Sequence, residues 1–465
     1  MKRFCFRNIK MIFAITAIFN GINFLYAFGE RNISEVTLSN GIPVYIAKNM
    51  DNQIDAVCIG VKGGTSFYTK ETSGIENVVF NMMLNGSASY SKTDMQNFVY
   101  ATSSRFRGAS LRQGSVLSVV CIEDYLKEAL PYLLDGFVNP QFEQKEYENL
   151  MNEYQSGIQS VLNDPESMAL YYGKQILYNG HPYEVLSGIT QESIYNITYE
   201  AVKNYHASLM NSNRIFVVAV TSMAQEELVP ILENYLAKIP AGEALPEEES
   251  VPELNLKQSP LVLAHPSAQG TGFVIRAYNT AGIKSEDYIP YLIAKHIYSK
   301  VAFSLLRTKY GICYGFRLDD FSEVENVGYE LLYRCSDYTD LKKRMGEARS
   351  IIKRGEYITG SNKDGSFTYG KISKDFEGFV NSIKNTMYSS LQTTGSTADT
   401  LCRSLLLWGD LNSLDEQRNR INSVTIAEVQ AAFEKYINSA DEDCFWVAAV
   451  GPENEELLES ILNDK

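Results

Sequence analysis

The stretch GIENVVFNMMLNGS, residues 74–87, places Asn77 and Asn81 on a mostly apolar segment that opens at Gly74 and closes at Asn85-Gly86. Residues four apart on a helix lie one turn apart on the same side, so the two amides would face a common point. An amide carbonyl is a weak, neutral metal ligand, and an amide cannot act as a base toward water. Glu146 and Glu153 are seven residues apart, nearly two turns, and share one face of a predicted helix. Carboxylates at that spacing mostly belong to a solvated face. Arg307 and Tyr314 are also seven apart, in FSLLRTKYGICYGF, where a helix-like VAFSLLRTK runs through Tyr310-Gly311 into a strand-like ICYGF. An isolated pair of this kind is ordinarily a surface arginine and a tyrosine packed under a helix. The four histidines, His181, His206, His265 and His296, share no ligand spacing and read as loop or core residues. Neither a G-x-S-x-G elbow nor a family-specific Cys/His signature is present to supply a nucleophile.

These residues must be positioned by a chain of 465 residues, too long for one compact core, with 45% apolar and 12% aromatic content. A formal charge of −14 argues against a nucleic-acid partner, since there is no surplus of Lys or Arg to displace counterions from phosphates. The basic MKRFCFRNIK followed by the apolar MIFAITAIFNGINFLYA predicts a secretory leader, residues 1–27, cleaved near Ala27. Its removal takes the formal charge to about −18, because the leader carries four basic and no acidic side chains. The expected product is exported, periplasmic or otherwise extracytoplasmic, and no later segment has the roughly 20 apolar residues a spanning helix needs. Outside the leader, Cys58, Cys121, Cys313, Cys335, Cys402 and Cys444 are dispersed, without the spacing of a zinc ribbon or redox pair.

The segment LAKIPAGEALPEEESVPELNLKQSP interrupts the periodic pattern with prolines and an acidic run, predicting a solvated linker over 238–259. It separates domains at 28–237 and 260–465. Each begins with strand-like segments, passes into long helical patterns and ends alike. NITYEAVKNYHASLMNSNRIFVVAV in the first resembles SVTIAEVQAAFEKYINSADEDCFWVAAV in the second, offset by about 225 to 230 residues. The predicted fold class is α+β: two homologous domains, each a mainly antiparallel sheet with helices packed on one face.

The order of these features resembles the insulinase and pitrilysin-type zinc peptidases, including the bacterial relatives of the mitochondrial processing peptidase. The resemblance runs from the first hairpin through GIENVVFNMMLNGS, NPQFEQKEYENLMNEY, NGHPYEVLSGITQESIYNITYEAVKNYH and SLLRTKYGICYGF to the final strand. Many active members carry H-x-x-E-H in the first of these segments, two imidazoles binding zinc and a carboxylate taking a proton from the metal-bound water. Here the histidine positions fall on Asn77 and Asn81 and the glutamate position on Phe80. The resemblance places the third family ligand on Glu153 and its supporting glutamate on Glu146, vestiges without the rest of the set. No metal site is expected in this chain.

What the resemblance retains is the Arg307 and Tyr314 pair, which in active relatives clamps the peptide and donates to the developing oxyanion. It implies a non-catalytic subunit of an exported heterodimer, with zinc in a related partner chain and peptides as substrates. An inert peptide-binding or scaffold protein of the same descent is the alternative, and a zinc hydrolase with displaced ligands a remote third. The family's peptide-binding sheet edge falls on SSRFRGASLRQGSVLSVVCI, with Gly108, Ala109 and Ser110 at its centre. Arg105, Arg107 and Arg112 would make that edge basic, favouring acidic peptides or discouraging edge-to-edge aggregation.

Overall fold

The computed structural model describes residues 26–28, 31–49, 52–245, 252–321, 327–439 and 443–463. Most of the predicted leader, residues 1–25, and part of the acidic segment, residues 246–251, lie outside them. In the first half the strands are β1 (Tyr26–Phe28), β2 (Arg31–Thr37), β3 (Pro43–Lys48), β4 (Ile54–Lys62), β5 (Arg105–Leu111), β6 (Gly114–Ile122) and β7 (Ile215–Thr221). They form one sheet in the order β1-β2-β3-β7-β4-β6-β5. The second half contributes β8 (Leu261–Ala264), β9 (Gly272–Asn279), β10 (Cys313–Asp320), β11 (Val327–Cys335) and β14 (Phe445–Val450), ordered β10-β11-β9-β14-β8, and a separate hairpin of β12 (Glu356–Ser361) and β13 (Phe367–Lys371).

The duplication visible in the sequence reappears as identical topology. In the first sheet the strand order β3-β7-β4-β6-β5 matches β8-β14-β9-β11-β10 in the second. In each, the first strand of the set pairs parallel with the last, β3 with β7 and β8 with β14, while the other pairings are antiparallel. The matched edges are β5, which carries Gly108, and β10, which carries Tyr314.

The helices of the first half are α1 (Ile75–Met82), α2 (Lys92–Thr102), α3 (Leu126–Val138), α4 (Gln144–Asn163), α5 (Pro165–Leu177), α6 (Tyr199–Leu209) and α7 (Gln225–Leu236). Those of the second are α8 (Tyr288–Phe303), α9 (Leu341–Lys353), α10 (Ile372–Ser389), α11 (Thr394–Leu407), α12 (Asn412–Ser423), α13 (Ile426–Ala432) and α14 (Glu455–Asn463). The chain is thus α+β, with each sheet's own helices gathered over one face.

The opposite faces are also apolar, and each is covered by a helix of the other half. On α11, Ala398, Leu401, Cys402 and Leu405 recur at three- and four-residue spacing, all fully buried, against Cys58, Phe216, Val218 and Val220 of the first sheet. Reciprocally, Met168, Ala169 and Leu177 of α5 lie on Ile275, Phe445 and Val447 of the second sheet. Gly173 permits that approach, since a Cβ there would meet Val447 Cγ2 at 3.0 Å. The segment expected as a wholly solvated linker belongs partly to this layer, because Leu254 and Leu256 are buried with α5. Apolar side chains at alternate positions beyond the prolines let it dock as extended chain, a feature the acidic run obscures.

Among the described residues no helix is long and apolar enough to cross a membrane. Leu401→Ala empties a fully enclosed site beneath α11 and is expected to cost about 2–5 kcal/mol. Denaturant unfolding measures this, and a loss well under about 1 kcal/mol would mean that α11 is not seated on the first sheet in solution.

Candidate functional site

Helix α1 starts at Gly74, whose φ of +84° ends the preceding loop and whose missing side chain lets the backbone of residues 188 and 189 lie against it. The helix buries Val78, Val79, Phe80 and Met82, leaving Asn77 and Asn81 half-exposed on the side facing α4. As their spacing predicts, the amides meet: Asn81 Nδ2 lies 2.8 Å from the Asn77 carbonyl oxygen and 3.1 Å from Asn77 Oδ1. The third member of the group is Tyr154 on α4. Asn81 Nδ2 donates to its hydroxyl at 2.9 Å, and the hydroxyl donates to Asn77 Oδ1. Burial is the main force pushing the Tyr154 phenol up to about 12. The triangle is therefore neutral and closed on itself.

Glu153 and Glu146 do not join it. Glu153 is exposed, and Glu146 turns to Lys92 on α2, whose hydrogen bond holds its carboxyl below the usual range. The face of α4 that meets the domain instead carries Tyr147, Leu150, Met151 and Tyr154, with the Tyr147 hydroxyl donating to the Ile197 carbonyl at 2.6 Å. Tyr147 and Tyr154 share the seven-residue spacing of the glutamates, displaced by one residue. Their spacing beside Leu150 and Met151 was the signal available in the sequence, since an aromatic and aliphatic stripe marks the packed face.

Phe80, at the position of the family base, is fully buried under β5. Gly108 lets the strand pass over it, because a Cβ there would come within 2.9 Å of the Phe80 carbonyl oxygen. Zinc does not fit this set of donors: two amides bonded to each other and to a phenol, with a phenyl ring where a carboxylate would stand. Among the described residues no three His, Cys, Asp or Glu side chains come together as a metal-binding group. His181, His206 and His265 each hold a backbone carbonyl through Nε2, those of Pro252, Phe137 and Leu162. His296 packs beside Phe379.

A carboxylate that the sequence reading overlooked lies one residue before the amides. Glu76 is fully buried, accepts hydrogen bonds from the Ser115 and Tyr205 hydroxyls, and has Arg214 Nη2 at 3.9 Å. Burial outweighs these partners and raises its carboxyl above the usual range, the arginine standing at the outer limit of an ion pair. A lone Glu beside Ile75, in a segment that is otherwise mostly apolar, was the only sign of it.

The Arg307 and Tyr314 pair is assembled at the other edge. Helix α8 continues into a wider turn, Ser304–Lys309, and Gly311, with φ +63°, reverses the chain into β10. The Arg307 guanidinium then lies 5.2 Å from the Tyr314 ring centre, a cation-π distance. Arg307 is exposed and Tyr314 is 64% exposed on an unpaired sheet edge. The edge strand β5 pairs only with β6 and carries Gly108, Ala109 and Ser110 half-buried. Arg105 and Arg107 are exposed there, Arg107 at 3.8 Å from Asp399. Arg112 is not part of a basic edge: its guanidinium donates to the Tyr183 and Val185 carbonyls at 3.2 and 2.8 Å and stacks on the Tyr183 ring.

Comparison with known proteins places residues 44–184 within insulinase (peptidase family M16) and residues 196–353 within the peptidase M16 inactive domain. An uncharacterized zinc protease of Bacillus subtilis, YmxG, is 18% identical over 407 residues, covering 85% of this chain and 94% of that protein. A probable mitochondrial-processing peptidase subunit beta of Schizosaccharomyces pombe is 21% identical over 210 residues, 45% of this chain and 46% of that one. Among solved structures, a peptidase M16 inactive domain from Pseudomonas fluorescens superposes with a TM-score of 0.75 at 16% identity, covering 90% of this chain and 98% of its own. A protease from Helicobacter pylori gives 0.76 at 14%, covering 90% and 99%.

Two outcomes test this geometry. Tyr154→Phe removes a hydroxyl that bonds both amides and is expected to cost about 1–2 kcal/mol in denaturant unfolding; a neutral result would mean the triangle is open in solution. Glu76 keeps its proton to higher pH when folded than when unfolded, so its contribution to stability is full below the unfolded carboxyl's value of 4.5 and declines as pH rises through the folded value. Glu76→Gln is expected to remove that decline, flattening stability against pH above 4.5. Equal slopes for the two proteins would show that the carboxyl ionises as readily in the fold as outside it.

Proposed function

Because the chain belongs to the M16, insulinase-type, peptidase family and lacks that family's zinc-binding residues, we propose that it is the non-catalytic subunit of an exported heterodimeric metallopeptidase. The partner is a related chain with an intact H-x-x-E-H motif, which holds the zinc, and the substrates are peptides. The observation that carries this reading is the Arg307 guanidinium poised at 5.2 Å over Tyr314 at an exposed sheet edge. The tyrosine is not packed under the helix as an ordinary pair of this kind would have it: both side chains are exposed, presenting a positive charge and a phenol to the outside.

In the assembled enzyme Arg307 and Tyr314 would bind and orient the peptide and donate hydrogen bonds to the oxygen that gains charge as the bond is broken, a role whose value comes from preorganisation. The water and the proton transfers belong to the partner. The β5 edge offers a place where an extended peptide adds a strand, with Arg105 and Arg107 favouring acidic sequences. Export rests on the leader-like first 27 residues.

Reconstitution with the partner is expected to yield peptidase activity that a chelator abolishes. Arg307→Ala should lower turnover by more than about tenfold, as loss of an oxyanion donor does, with Tyr314→Phe moving in the same direction. If both substitutions are silent in an active pair, the chain is a scaffold or peptide-binding relative without a catalytic contribution.

A further inference from the structure

Strand β11 breaks register once. Against β9, Leu332 pairs with Val274 and Cys335 with Gly272, so β11 accommodates one extra residue at Tyr333-Arg334. Arg334 there has φ +50°. A left-handed residue at a bulge is usually glycine, because a Cβ is strained in that conformation. Strain of this kind persists where the side chain has a use.

At the bulge the Arg334 side chain is exposed and reaches the Arg307 and Tyr314 pair through Tyr333. The Arg334 guanidinium lies 5.3 Å from the Tyr333 ring centre, and the Tyr333 ring is 6.1 Å from that of Tyr314. Arg307, Tyr314, Tyr333 and Arg334 therefore make a continuous series, two aromatic rings with a guanidinium at each end. Phe273 supports it from beneath, 5.3 Å from Tyr333. Arg334 also lines a cavity of about 530 Å³ between the two halves, with Asn163, Asp164, Ser267, Thr271 and Phe273. The one carboxylate in that lining is already engaged: Asp164 Oδ1 accepts the Ser167 amide as the cap of α5, at 2.8 Å. Neither Arg307 nor Arg334 forms an ion pair with a described carboxylate, in a chain with a formal charge of −14.

We infer that Tyr333 and Arg334 form a second peptide subsite, continuous with Arg307 and Tyr314, that accepts an acidic side chain. The inference rests on the reading of Arg307 and Tyr314 as peptide-handling residues. The phenol faces cover the peptide's planar groups, and the guanidinium pairs with a carboxylate entering the cavity.

The test uses the full chain and two fluorescein-labelled decapeptides that differ only in carrying two Glu or two Gln, with binding read by anisotropy. The Glu peptide is expected to bind about tenfold more tightly, as suits a charge-assisted hydrogen bond. Arg334→Gln and Arg334→Gly should bring the ratio close to one, while Lys343→Gln, an exposed cation elsewhere, should keep it. Glycine suits the backbone at this position, so Arg334→Gly is expected to match or exceed the parent's melting temperature while losing discrimination. A purely structural arginine would not give that combination. Equal binding of the two peptides, no measurable binding of either, or full discrimination in Arg334→Gly overturns the subsite. Silent Arg307→Ala turnover together with lost discrimination in Arg334→Gly would sink the oxyanion role and leave the acidic subsite standing.

Discussion

A sheet with two apolar faces has to be covered twice, and in this chain the second covering always comes from the other half. Helix α11 closes the first sheet and α5 closes the second, through stripes of side chains with almost no remaining exposure. Burying each such side chain is worth about 1.5–3 kcal/mol, so the two halves hold one another in a fixed relation. The site elements depend on that relation. Helix α4, which brings Tyr154 to the asparagines, runs into α5, anchored on the second sheet, and the cavity at Arg334 is walled by both halves.

Within that frame the motif region is a repaired surface. Removing two imidazoles and a carboxylate from a metal site would leave polar vacancies beside a helix, and unpaired buried polar groups are costly. Here Asn77 and Asn81 satisfy each other and Tyr154, while Phe80 extends the core under Gly108. The result is a surface built for packing. At the matched edge of the second sheet, by contrast, Arg307 and Tyr314 are exposed.

Much of this was legible in the sequence. The four-residue spacing of Asn77 and Asn81 fixed their contact, and the repeated Thr-helix-turn-strand ending disclosed the duplication that the sheets confirm. The glutamates of α4 lie on the solvated side that their spacing suggested, although a seven-residue spacing identifies a shared face without saying which way it points. Only the packing of Tyr147, Leu150, Met151 and Tyr154 decides that. Glu76, the reciprocal helices and the bulge at Arg334 were out of reach for a common reason. Each is defined by contacts between residues tens to hundreds of positions apart, such as Glu76 with Tyr205 and Cys58 with Cys402.

The exchanged helices bear on how such a chain could arise. One repeat alone would have a bare apolar sheet face and a helix stripe with nothing beneath it, so it could not persist as a soluble monomer. Two copies swapping helices would make a closed, two-fold dimer in which both defects cancel. The joined chain carries both coverings at once, since a covalent connection keeps the two halves at high effective concentration, and its matched edges carry different residues, Gly108 on one and Tyr314 on the other.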